Sequence, residues 1–171
     1  MSEKRFQAWK RALRFGVVFV LLMLFASQVL AQGPLDLEKA VKIGNGKIMV
    51  IEFTDPDCPF CRKAEEYFQK RSDVTRYVFF VPLRSHPASK GKVQYVLSAK
   101  DKAKALREVS SDSFDKRQLE QITPAGIRLQ KEHEEIARAN KMNSTPTFMI
   151  YGRIVEGFDL KKLEPLLKTR G

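Results

Sequence analysis

A buried strand that leads directly into a helix is the feature that most constrains this chain. Residues 47–54 are dense in β-branched, aliphatic and aromatic side chains, a pattern typical of an interior strand. Asp55-Pro56-Asp57 ends that run, and over residues 58–71 the apolar side chains recur at helical spacing. Pro59 falls in the first turn of the predicted helix, where its missing N–H costs nothing.

A second strand and a block of helices are predicted next. Residues 74–83 contain a dense apolar run and should lie parallel to the first strand after the crossover helix, as in a βαβ unit. Helical signals then continue almost without a break, with Thr123 as the N-cap of the last helix in the block. The predicted helices are residues 86–100, 101–111, 114–121 and 124–140.

The two ends of the folded region complete the predicted order. Residues 147–151 and 154–158 have the pattern of a β-hairpin. Asp159 can cap a final helix, in which Pro165 should cause a kink or a late start. A short leader helix is expected over residues 35–43. The elements therefore follow the order β-α-β, helical insertion and β-β-α.

The first 31 residues have the composition of an export signal. A basic stretch precedes an apolar run over residues 15–26, which is too short to cross the roughly 30 Å hydrocarbon core as a helix. Val29-Leu30-Ala31 supplies small residues before a cleavage site. Residues 1–31 are thus predicted to be a signal peptide, with an uncleaved anchor as the alternative, and both place the domain outside the cytoplasm. The predicted division is 1–31 signal, 32–46 leader segment and 47–171 folded domain, with the insertion at about 86–140.

The chain is strongly basic, with a formal net charge of +11. Such a surface can attract anionic lipids or acidic partners at low salt. No aromatic-and-basic ladder, zinc pattern or recognition-helix signature accompanies the charge, so we interpret it as a solvated surface and expect no nucleic-acid binding.

The chain has two cysteines, Cys58 and Cys61, and their spacing favours redox chemistry. A disulfide across such a short loop removes little chain entropy and is a poor staple. A structural zinc site needs four ligands, and the other candidates, His86 and His133, have no familiar zinc spacing. We interpret His86 as a loop residue rather than a catalytic one. No metal or organic cofactor is therefore expected.

The strand–helix junction gives each cysteine a distinct expected role. At the start of the helix, Cys58 should lie among unpaired N–H groups that favour the thiolate over the thiol. Cys58 is the predicted nucleophile, which attacks a substrate disulfide to form a mixed disulfide. Cys61, one turn into the helix, is predicted to release the substrate by attacking Cys58.

Two segments resemble the periplasmic disulfide isomerase family, DsbC and DsbG. They are the motif at residues 53–61, Phe-Thr-Asp-Pro-Asp-Cys-Pro-Phe-Cys, and the motif at residues 144–147, Ser-Thr-Pro-Thr; residues 98–103 of the insertion add to the likeness. The resemblance implies an α/β thioredoxin-like fold with a central mixed sheet and a helical insertion. It also implies that Thr145 and Pro146 form a cis-proline loop that binds substrate backbone.

The resemblance implies roles for three more residues. Pro59 and Phe60, between the cysteines, would tune the redox character and contact substrate. Thioredoxin-like proteins often keep a buried acid beneath the second cysteine, and Glu52 stands at that position, six residues before Cys58. A buried carboxylate there could take the proton from Cys61. The alternative is that Glu52 is a surface residue at a strand end.

Two departures from the family shape the functional expectation. Only about fifteen residues separate the predicted cleavage site from the first strand, so the family's N-terminal dimerisation domain is not expected, and the insertion lacks cysteines for a second disulfide. We therefore expect a monomeric periplasmic thiol-disulfide oxidoreductase of the reductase or isomerase type. Its partners would be exported proteins with thiols or disulfides and a membrane electron donor of the DsbD type. A binding module or chaperone without redox turnover, and a disulfide oxidase, are the alternatives.

Overall fold

A computed structural model describes residues 35–114 and 116–168 of the chain, without the side chains of 116–118. The predicted signal peptide, residues 1–31, lies outside this part. No helix within the described ranges is long and apolar enough to cross a membrane.

In the described residues the fold is built on one sheet of five strands in the order β1-β3-β2-β4-β5. The pairing of β2 with β3 is parallel and the other pairings are antiparallel, which confirms the predicted α/β fold with a mixed sheet. The strands are β1 (Val41–Ile43), β2 (Ile48–Thr54), β3 (Val74–Phe80), β4 (Thr147–Ile150) and β5 (Arg153–Glu156).

The helices follow the predicted order, and most of them lie between β3 and β4. The N-cap prediction is confirmed, because Thr123 Oγ1 accepts a 3.1 Å hydrogen bond from the Gly126 N–H. The last helix begins directly after Asp159 and contains Pro165, so the expected late start is wrong. The helices are α1 (Pro59–Phe68), α2 (Ser89–Ser98), α3 (Lys102–Ser110), a 3₁₀ helix (Lys116–Gln121), α4 (Pro124–Ala139) and α5 (Leu160–Lys168).

The predicted leader helix is wrong. Residues 41–43 instead form β1, which pairs with β3 so that Val41 lies opposite Val78. Two β-branched residues in this short segment suit a strand, and β3 offers it a free edge. Gly44 ends the strand with a φ of +85°, a conformation that favours glycine. The folded domain therefore starts before residue 47, within the segment assigned to the leader.

Helices bury the sheet through separate apolar clusters. Val50 packs with α1 and α5, whereas Phe53 packs against α4, as expected for a central strand covered on both faces. A further cluster joins Val78 and Phe80 to α2 and α3. Strand β2 is therefore packed on both faces, and it is paired along both edges with β3 and β4. The site described below lies at the end of this well-held strand.

His133 ties α4 to the sheet and to the segment before β1. Its Nδ1 accepts the Phe80 N–H at 3.0 Å, and its Nε2 lies 2.8 Å from the Lys39 carbonyl oxygen, so Nε2 carries the proton and donates. Burial lowers the pKa of His133 from 6.5 to about 4. The imidazole is therefore neutral in the folded protein.

The buried His133 should make the protein less stable in mild acid. Between pH 6.5 and 4 the unfolded chain binds a proton that the folded protein excludes. This contribution is fully present above pH 6.5 and is lost as the pH falls towards 4, by up to about 3 kcal/mol. Urea unfolding measured across this pH range should show the loss. In His133→Gln the unfolding free energy should fall less steeply as the pH is lowered. The same dependence of unfolding free energy on pH in the variant would contradict the role given to His133.

Candidate active site

The turn between β2 and α1 places Cys58 at the start of the helix. Cys58 has extended backbone and serves as the N-cap of α1, and its N–H donates to the Asp55 carbonyl at 3.1 Å. Cys61 follows one turn later inside the helix. Both residues are free thiols and both are buried, with exposures of 5% and 3%.

The Thr145–Pro146 loop lies against Cys58. The peptide bond between Thr145 and Pro146 is cis, and the Cys58 thiol donates to the Thr145 carbonyl at 3.5 Å. The Gly157 N–H donates to the Pro146 carbonyl at 2.7 Å, which anchors the loop to the segment after β5. Two segments 87 positions apart in sequence are thus brought together at one sulfur atom.

The two residues between the cysteines are apolar and exposed. Pro59, in the first turn of α1, is exposed, and Phe60 is 57% exposed. The Lys63 ammonium lies 5.6 Å from the centre of the Phe60 ring. A large exposed aromatic ring beside a buried thiol offers contact area to a polypeptide.

Cys61 lies in a site where its thiol form is strongly favoured. Burial is the largest cause that raises the pKa of Cys61, and the charges of Cys58 and Glu52 raise it further. The Thr54 hydroxyl and the Asp55 N–H oppose that effect, and the Asp55 N–H lies 3.4 Å from the sulfur. Cys61 therefore needs a proton acceptor before it can act as a nucleophile.

Glu52 is fully buried and belongs to a cluster of three charged side chains. Its exposure is 1%, so the interpretation as a surface residue is wrong. Arg76 of β3 bridges two carboxylates, with Nη1 at 3.0 Å from Glu52 Oε2 and Nη2 at 2.7 Å from Glu65 Oε2. Burial raises the pKa of Glu52, the Arg76 charge lowers it and the Glu65 charge raises it.

Sequence reasoning missed Arg76, Glu65 and Asp55. Arg76 lies in the middle of an apolar strand, and Glu65 lies on the buried face of α1 among residues that fit a solvated helix face equally well. Asp55 was interpreted only as a strand breaker, yet it is completely buried. A charged residue inside a predicted interior strand was the one available signal, and among these three residues it applied to Arg76 alone.

The two histidines considered as zinc ligands do not form a set of metal ligands with the cysteines. His86 contacts Asp55, with Nδ1 at 3.0 Å from Oδ2, and His133 is engaged by backbone groups at both ring nitrogens. Among residues 35–114 and 116–168, no three side chains of His, Cys, Asp or Glu come together as metal ligands.

The mixed sheet, with a dithiol at a strand–helix junction facing a cis-proline loop, defines the class of thioredoxin-fold proteins. The sequence profile of the thioredoxin-like domain family matches residues 35–159. The chain belongs to this family.

Its relatives include proteins named for disulfide interchange. A probable thiol:disulfide interchange protein DsbC of Bordetella avium is 35% identical over 118 residues, covering 67% of this chain and 39% of that protein. The crystal structure of a disulfide interchange protein from Neisseria gonorrhoeae aligns with a TM-score of 0.63 at 31% identity, covering 78% of this chain and 96% of that one.

Other solved structures share the fold at lower identity. The catalytic domain of ScsC from Proteus mirabilis aligns with a TM-score of 0.63 at 23% identity, covering 84% of this chain and 94% of that one. The chain matches 26% to 39% of the length of these curated relatives.

Replacing Arg76 should destabilise the protein strongly. Arg76→Met leaves two buried carboxylates without a counter-charge, and such a change typically costs about 3–5 kcal/mol of unfolding free energy. The deficit should shrink as the pH falls, because protonated carboxyls need no counter-charge. Urea unfolding measures both effects. Lys70→Met, at an exposed position just after α1, is the matched control and should change stability by less than about 0.5 kcal/mol. An equally small effect of Arg76→Met would contradict the cluster.

Proposed function

We propose that this protein is a thiol:disulfide oxidoreductase that exchanges disulfides with exported proteins through Cys58 and Cys61. The observation that carries the proposal is the Cys58 sulfur at the start of α1, 3.5 Å from the Thr145 carbonyl, with the second thiol one turn behind it. The membership in the thioredoxin-like family and the disulfide interchange relatives support it.

The exchange proceeds in two displacement steps. The Cys58 thiolate attacks one sulfur of a substrate disulfide, so a mixed disulfide forms and the other substrate sulfur leaves as a thiolate. The Cys61 thiolate then attacks the Cys58 sulfur, which releases the second substrate sulfur and forms the Cys58–Cys61 disulfide. Two electrons pass from the protein to the substrate, and the reverse sequence oxidises a substrate dithiol.

Glu52 is the proposed proton acceptor for the second step. Cys61 must lose a proton before it attacks, and the buried Glu52 carboxylate is close enough for its charge to act on that thiol. Because burial raises the pKa of Glu52, it is a stronger base than an exposed carboxylate.

The proposed substrate contacts surround the cysteines. Pro59 and Phe60 would pack against apolar parts of a polypeptide, while Thr145 and Pro146 would align its backbone next to Cys58. Backbone pairing in the manner of an added strand suits a protein that accepts many sequences.

The direction of exchange that we propose is reduction or isomerisation in the periplasm. In this proposal the protein works as a monomer, after export by residues 1–31, and a membrane electron donor of the DsbD type keeps its dithiol reduced. The same geometry fits a disulfide oxidase, which a strongly oxidising redox potential in glutathione equilibration would reveal.

Cys58→Ser should abolish catalysis of insulin disulfide reduction, with a loss on the order of 100-fold or more, because the attacking thiolate is removed. Cys61→Ala should instead accumulate covalent complexes on Cys58, visible on non-reducing gels and identifiable by mass spectrometry. Unaltered turnover in Cys58→Ser would contradict the proposal. Undiminished partner binding by the double-cysteine variant, with no turnover by the wild-type protein, would favour the binding-module alternative.

Glu52→Gln should slow the second step and not the first. When the reduced protein reacts with one equivalent of dithiobis-nitrobenzoate, Cys58 releases the first nitrobenzoate thiolate and Cys61 releases the second. The second release should slow on the order of 10- to 100-fold in Glu52→Gln. In the wild-type protein this rate should rise with pH as Glu52 ionises, and the variant should lack that inflection. Glu66→Gln, at an exposed position of α1, is the control, and an equal rate in both variants would exclude the role.

A further inference from the structure

Asp55, between the strand and the cysteine motif, makes polar contacts through both its side chain and its main chain. Its side chain is completely buried. Oδ1 accepts the Asp57 N–H at 2.8 Å and the Ser89 hydroxyl at 2.7 Å, while Oδ2 accepts the Leu83 N–H at 2.7 Å and lies 3.0 Å from His86 Nδ1. Each carboxylate oxygen therefore has two partners, which is what a buried carboxylate needs.

The main chain of the same residue contacts both cysteines. Its N–H lies 3.4 Å from the Cys61 sulfur, and its carbonyl accepts the Cys58 N–H at 3.1 Å. The side chain is anchored from outside the cysteine motif, because most of its donors belong to the segment that joins β3 to α2 and to the first turn of α2. The position of the N–H at Cys61 is thus set by that segment.

We propose that Asp55 is a positioning residue of the redox pair: its anchored carboxylate holds the Asp55 N–H against the sulfur of Cys61 while that sulfur carries negative charge. This inference rests on the proposed function and assigns a role that the sequence did not indicate. The group that reacts is still Cys61, and Asp55 acts on it through a peptide N–H.

The physical argument concerns where charge develops in the second step. The Cys61 sulfur becomes a thiolate inside the protein, where few donors reach it and burial opposes the charge. A fixed N–H that needs no reorganisation stabilises such a charge more than a mobile one does. The Cys58 sulfur has a different polar contact, the Thr145 carbonyl, so loosening Asp55 should affect the two thiols unequally.

Two side chains that hydrogen-bond to the Asp55 carboxylate, those of His86 and Ser89, help to hold it in place. His86 Nδ1 must carry a proton to donate to the Asp55 carboxylate, so His86 is an anchor of that carboxylate. Ser89 is also completely buried, and its hydroxyl donates to Asp55. Removing either donor leaves Asp55 itself in place, which makes Ser89 and His86 milder probes than Asp55.

The test uses the full-length reduced protein and the two-phase release of nitrobenzoate thiolate from dithiobis-nitrobenzoate. Asp55→Ala should slow the second phase on the order of tenfold while the first phase changes by less than about threefold. Asp55→Asn keeps the Oδ1 acceptor for Asp57 and Ser89 and should recover part of the loss. Ser89→Ala should give an intermediate slowing, and Ser85→Ala, an exposed serine in the same segment, should match the wild-type protein.

The outcomes separate this inference from the proposed function. If the wild-type protein releases one thiolate only, Cys61 does not resolve the mixed disulfide and both proposals fail. If the wild-type protein shows two phases but the Asp55 variants slow both phases alike, or slow neither, the positioning role is overturned and the oxidoreductase stands. Should Asp55→Ala fail to fold by circular dichroism, Ser89→Ala and His86→Gln decide: a selective slowing of the second phase supports the role, and its absence in both overturns it.

Discussion

The parallel pairing of β2 with β3 is the constraint on which the site depends. It runs without a break from Ile48 opposite Val74 to Thr54 opposite Phe80, and the Val81 N–H extends it by donating to the Thr54 carbonyl at 2.8 Å. Because parallel strands finish at the same end of the sheet, the turn that leads to the cysteines meets the segment that leads to α2. The antiparallel β4 begins at that end of the sheet, which brings the cis-proline loop to Cys58.

Buried charge under the cysteines is the second organising feature. Glu52, Arg76 and Glu65 come from β2, β3 and α1, so the cluster forms only when those three elements pack. One guanidinium shared by two carboxylates balances their charge incompletely, and in a desolvated site this keeps the pKa of Glu52 high. The same desolvation favours the thiol form of Cys61, so the two groups are suited to exchange a proton.

The success of sequence reasoning differed between elements for identifiable reasons. The strand over residues 47–54 and the helix behind Cys58 were predicted because dense apolar runs and helical periodicity are local signals. The segment over residues 35–43 was mistaken for a helix because its last three residues form β1 only by pairing with the free side of β3. The burial of Glu52 was left open, since strand alternation alone does not show whether helices cover both faces of the strand. The contacts of Asp55 depend on a segment about thirty residues away.

The sequence by itself determined the chemistry available: two thiols one helical turn apart, a strand that leads into them, and the motif at residues 144–147 that resembles a cis-proline loop. Only the tertiary structure decided which groups act on those thiols. The Thr145 carbonyl meets Cys58 across 87 positions, the Arg76 cluster joins side chains of three elements, and the Asp55 carboxylate is anchored by a segment about thirty residues away. Their effect depends on distances of about 3 Å and on the exclusion of water, and a sequence pattern encodes neither.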